Sequence, residues 1–156
     1  MKKPEPVEGL VIRYDYLWKD EHQKGRIEGQ KDRPCAIVMA AYTQGSETRR
    51  VIIVPITHTR PRKATDAIEI PHKIKKHLGL DDERSWVVIN EVNRVSWDDG
   101  GINPAIPGER WEYGALPQSF VKQIQDRIRE RAQERQLGMV DREKIEKERD
   151  DWDRGR

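Results

Sequence analysis

The sequence predicts a mainly β domain: a small open barrel with a C-terminal helix and a charged tail that is helical or disordered. Three observations carry this reading. The apolar residues before Trp97 fall in short runs separated by compact turn signals, the pattern of several short strands. No helix-length segment lies between the early strands, so the long crossovers of a parallel α/β sheet are absent. A single apolar stripe of helical period appears late, after Pro117.

In chain order, Gly9 to Trp18 reads as the first strand, with Leu10, Val11, Ile12, Tyr14 and Tyr16. The polar stretch from Lys19 to Arg33 reads as a long loop, and long loops in compact domains are often functional. Cys35 to Tyr42 forms a second strand, apolar enough to be buried on both faces. Gln44-Gly45-Ser46 is a turn, and Arg49 to Ile56 a third strand, closing a hairpin. Ala67 to Ile70 is a short strand ended by Pro71, and Lys73 to Leu78 one or two helical turns closed by Gly79. Ser85 to Asn90 and Arg94 to Trp97 are further strands, and Asp98 to Pro107 is a Gly/Pro/Asp/Asn loop. Pro117 suits the start of a helix, whose Phe120, Val121, Ile124 and Ile128 recur at helical spacing and should pack on the barrel. The expected division is a barrel with its packing helix over 1–128 and a tail over 129–156. In that tail Gly138 breaks the chain and Asp141 can cap a second helix.

Composition limits the function classes. Of 156 residues 37% are charged and 35% hydrophobic, so a core forms only if much of the charge stays outside it. The net charge of +2, from 30 basic and 28 acidic residues, is not that of a protein that coats nucleic acid by charge alone. Any RNA binding must come from a local site. The best basic stretch runs from Arg49 to Lys63 and holds Arg49, Arg50, Arg60 and Arg62. One cysteine, Cys35, excludes an intramolecular disulfide and a Cys-based zinc site. Its apolar neighbours mark it as a buried small residue. No secretory signal or run of transmembrane length is present, so the cytoplasm is the expected compartment and no membrane partner is expected. Gly100-Gly101 lacks the lysine of a phosphate loop. His22, His58, His72 and His77 are scattered in sequence, and no metal ligands or cofactor are expected.

Three segments carry a more specific signal. Gly29-Gln30-Lys31-Asp32-Arg33-Pro34 leads directly into the second strand. Val51-Ile52-Ile53-Val54-Pro55-Ile56-Thr57-His58-Thr59 ends the third. Leu78-Gly79-Leu80 and Ser85 to Trp97, with Glu91 and Arg94, follow. In order and spacing they resemble the PemK/MazF family of toxin endoribonucleases, with Gly9 at the opening strand and the likeness spanning Gly9 to Trp97 and the helix from Pro117.

The resemblance implies an SH3-like barrel that forms a homodimer, cleaves single-stranded RNA without metal, and is inhibited by a cognate antitoxin. The family's arginine before proline falls on Arg33, its threonine on Thr57 and its acidic residue on Glu91. The residue types suit the chemistry. Arg33 offers a planar fork of donors for phosphate, and Thr57 a hydroxyl. His58 is of a residue type that serves as base or acid, and Glu91 can serve as base, or as acid if its pKa is raised. The antitoxins of the family lay an acidic segment over the toxin's RNA groove, and Arg49, Arg50, Arg60 and Arg62 would attract one. Three departures stand out: the long loop after Lys19, Ile89 where some members carry a basic residue, and the polar tail. They leave a second reading open, a non-catalytic barrel that binds RNA or a protein, as the related gyrase poisons do.

Overall fold

The structure, a computed structural model, describes residues 2–42 and 49–154. The turn expected at Gln44-Gly45-Ser46 lies outside them. The described elements are β1 (Leu10–Tyr14), α1 (Lys19–Gln23), β2 (Arg33–Tyr42), β3 (Arg49–Thr57), β4 (Ala67–Glu69), α2 (His72–Leu78), β5 (Trp86–Val88), β6 (Glu91–Ser96), β7 (Ile102–Asn103), β8 (Gly114–Ala115), α3 (Gln118–Gln133), β9 (Gly138–Asp141) and α4 (Arg142–Arg154). The main path of the sheet runs β4-β5-β3-β2-β1-β7, with β8 also on β1 and with β6 between β3 and β9. All pairings are antiparallel except β6 with β9. This is the open, mainly β barrel architecture the sequence predicts.

Strand β3 organises it. Its residues 50–53 pair with β6, while Ile56 and Thr57 pair with β5, so one long strand serves two sheet regions. Side chains alternate between faces along a strand, and both faces of the central strands are covered. Val11, Ala36, Val38, Val54 and Ile56 enter one core with Phe120, Val121 and Ile124 of α3. Ile12, Tyr14, Cys35, Ile37, Val51 and Ile53 enter the other, with Tyr16, Val95 and Trp97. That double burial explains the unbroken apolar run from Cys35 to Val38. It stops at a register shift between Ile37 and Met39. Residues 39–42 are exposed, so only the first half of the expected two-face strand is buried.

Several boundaries move. The Lys19–Arg33 loop contains α1, because Glu21 reaches back to the Trp18 amide and caps the turn. The strand expected to end at Asn90 ends at Val88, and the next begins at Glu91 rather than Arg94. Helix α3 starts after Pro117, buries the expected stripe and continues to Gln133. Gly138, read as a chain breaker, instead opens β9. A side chain there would meet the flexible Lys19 side chain at 2.8 Å and Glu91 Cβ at 3.3 Å, so glycine suits the close approach of β9 to β6. The charged tail is helical in α4. It is held by Arg142, which is buried against Asp15, and by Glu143, which pairs with Arg50. Among the described residues, no helix is long and apolar enough to cross a membrane.

Candidate active site

A cavity of about 720 Å³ opens where β2 begins, β3 ends and the chain passes from β5 to β6. The sequence brings three separate segments there by strand pairing. Its lining includes Arg33, Thr57, His58, Arg60, Arg62 and Glu91, so all four candidate catalytic residues and two of the four candidate RNA-binding arginines share one cavity.

Arg33 is the first residue of β2, opposite Tyr14 of β1. Its guanidinium stacks over the Trp18 ring at 5.0 Å. Its Nε is buried and has no hydrogen-bond partner, alone among the described side-chain nitrogens and oxygens. A buried donor without a partner costs about 1–3 kcal/mol, and the residue that bears it lines the cavity. Trp18, which the sequence reading did not single out, also lines the cavity.

Thr57 closes β3. Its Oγ1 accepts the Thr59 amide at 3.1 Å, which leaves the hydroxyl hydrogen for a ligand. Because β3 ends at Thr57, the alternation of side chains lapses there, and His58 faces the same cavity. His58 sits between two carboxylates, with Nε2 at 2.8 Å from Asp81 and Nδ1 at 3.4 Å from Glu83. Lys75 Nζ lies 2.6 Å from the other Asp81 oxygen. That hydrogen bond is the main influence holding the Asp81 carboxyl below its ordinary pKa. His58, Asp81 and Glu83 offer ligand atoms within 4.8 Å of one another. These are the residues that could hold a metal ion, a grouping that sequence spacing did not reveal. All three are exposed, and Lys75 already supplies a cation to the group.

Glu91 opens β6 and is half-buried. Its Oε1 accepts the Tyr16 hydroxyl at 3.1 Å and the Lys19 amide at 3.0 Å. Both bonds fall on one oxygen, and no described residue hydrogen-bonds to Oε2. Burial pushes the Glu91 carboxyl above its ordinary pKa, against the two donors, which favour the ionised form. The carboxyl group is thus oriented through one oxygen, and its proton affinity is raised.

Arg60 and Arg62 follow Thr57 along the cavity rim. Arg49 and Arg50 occupy the far end of β3, roughly 27 Å from Thr57 at the usual rise per strand residue. Arg49 pairs with Glu5, and Arg50 with Glu143 at 2.7 Å. The structure thus separates the basic stretch into two pairs that the linear sequence joins. Ile89, where a second basic residue was sought, is fully buried in the core.

A family model described as PemK-like, MazF-like toxin of type II toxin-antitoxin system matches residues 13–132. Comparison with curated proteins and with solved structures returned no match.

Proposed function

The chain belongs to the PemK-like, MazF-like toxins of type II toxin–antitoxin systems, and from that premise we propose that it is an endoribonuclease that cuts single-stranded RNA without metal. The observation that carries this reading is the unpartnered Arg33 Nε, buried in a cavity that also holds Thr57 and Glu91. The ribose 2′-oxygen attacks the adjacent phosphorus, and its proton passes to Glu91 through the open Oε2. Negative charge grows on the non-bridging oxygens, where the Arg33 fork and the Thr57 hydroxyl donate. The bond from phosphorus to the 5′-oxygen then breaks, and that oxygen takes a proton, which His58 in the cavity lining can supply. The products are a 2′,3′-cyclic phosphate and a 5′-hydroxyl. Arg60 and Arg62 guide the flanking phosphates.

Membership of a type II system implies a protein antitoxin as partner. We propose that its inhibitory segment is acidic and competes with RNA at Arg60 and Arg62, that the toxin acts as a homodimer, and that it works in the cytoplasm. The test of the activity is incubation of the purified, folded protein with a long single-stranded RNA in EDTA. The expected result is discrete fragments with 5′-hydroxyl ends. Cleavage that appears only on addition of a divalent metal contradicts the mechanism and turns attention to His58, Asp81 and Glu83. Absence of any cleavage favours the non-catalytic barrel, a reading that the burial of Ile89 in place of a second base also supports.

A further inference from the structure

The mechanism leaves one buried polar group unused. Tyr16 follows β1 and is 1% exposed, with its ring inside the second core. A buried phenol needs a partner for its hydroxyl, and the one it has is the Glu91 carboxylate, 75 residues away in sequence. The ring is fixed from the other side by Trp18, edge to face at 5.1 Å and 73°. The Trp18 face carries Arg33. One aromatic pair thus links the two groups that the proposed reaction places on either side of the phosphate.

We propose that Tyr16 is a positioning residue: its hydroxyl holds Oε1 of Glu91 so that Oε2 faces the substrate as proton acceptor. The inference rests on the ribonuclease reading above. Burial and the adjacent carboxylate keep the phenol protonated well above its ordinary range, so it remains a donor at every working pH. Of the other groups around Glu91, one shares this hold on Oε1. Lys19 of α1 gives its backbone amide to the same oxygen. Asp20 opposes ionisation of Glu91 and the Lys19 charge favours it, both as weaker influences than burial. From β9, Gly138 presents only backbone. From α4, Arg142 turns to Asp15, with Nη1 at 2.6 Å from its carbonyl. Across the cavity, Arg33 faces Trp18.

Tyr16→Phe keeps the ring and removes the donor. The ionised carboxylate then loses one of its two hydrogen bonds, so the Glu91 pKa rises further. A base must be ionised to act, so the acid limb of the pH–rate profile moves to higher pH. A shift of about one pH unit is expected, together with a lower rate on the high-pH plateau because the carboxylate is held less firmly. Tyr14→Phe is the control, because Tyr14 is equally buried in the same core but donates to Asp99. The experiment pairs two readouts on wild type and both variants at matched melting temperature. One is the RNA cleavage rate against pH. The other is carbon NMR titration of the Glu91 carboxyl, assigned with Glu91→Gln. The proposal expects both the carboxyl pKa and the acid limb to rise in Tyr16→Phe alone. A carboxyl pKa unchanged by Tyr16→Phe overturns it, as does a uniform loss of rate with an unmoved profile. A carboxyl pKa that rises in a protein that cleaves no RNA overturns the ribonuclease reading while the coupling of Tyr16 to Glu91 stands.

Discussion

Arg33 combines three properties that rarely coincide on a surface arginine: a buried Nε without a partner, an aromatic face beneath its plane, and a cavity in front. Lysine at this position keeps the charge but loses the planar fork and the stack. Arg33→Lys is therefore expected to lose much of the activity and Arg33→Ala more. One transition-state donor is worth roughly 3–4 kcal/mol, or about 10²–10³ in rate. Folding should barely change, since Arg33 makes no ion pair among the described residues. The same replacements at Arg49, at the other end of β3, are the control, and rates should be compared at matched melting temperature. A few-fold effect at Arg33 would remove it from the site, and equal losses at Arg49 would indicate general electrostatic binding. The placing of Arg33, Thr57 and Glu91 at strand ends that meet in one cavity was legible in the sequence, because each sits in a short local motif. Tyr16 and Trp18 were not, because an apolar–aromatic strand gives no sign of which ring carries a hydroxyl to a distant carboxylate.

At the scale of elements, the tail is the main departure from the sequence reading. β9 is four residues long and pairs in parallel with β6, too short for its alternation to be read. Its partner is fixed by tertiary contact alone. α4 is legible as helical but not as docked, because an almost wholly charged segment usually stays in solvent. What docks it is Arg142, 7% exposed, which donates to the Asp15 carbonyl at 2.6 Å and lies over the Tyr14 ring at 5.1 Å. Asp15 in turn accepts the Gly29 amide, in the segment that leads to Arg33. Arg142→Ala removes a charged hydrogen bond worth about 2–3 kcal/mol. For a chain of this size the melting temperature should fall by about 4–12 °C, as read by circular dichroism. An unchanged melting temperature would show α4 to be a loosely attached arm.

At the scale of the whole molecule, a weakly charged chain concentrates its chemistry in one cavity. With a net charge of +2, the proposed RNA capture falls to local arginines, of which Arg60 and Arg62 line the cavity. The strand pattern and the late helix were legible because period-2 and period-3.6 burial are local signals. The sharing of β3 between β5 and β6 was not, since it depends on which distant strands compete for its edges. Light scattering should give twice the chain mass of 18.3 kDa for the proposed homodimer, and a monomer mass at micromolar concentration would count against it. The central claim is that the substrate's own 2′-hydroxyl is the nucleophile and that Arg33, Thr57 and Glu91 serve its attack. It is tested most directly on a short RNA with one mapped cleavage site, remade with a single 2′-deoxyribose on the 5′ side of the scissile phosphate and incubated in EDTA. The account predicts that this one oxygen abolishes cleavage at the site while the RNA still binds; continued cleavage of the deoxy-substituted strand at the same phosphate would contradict it.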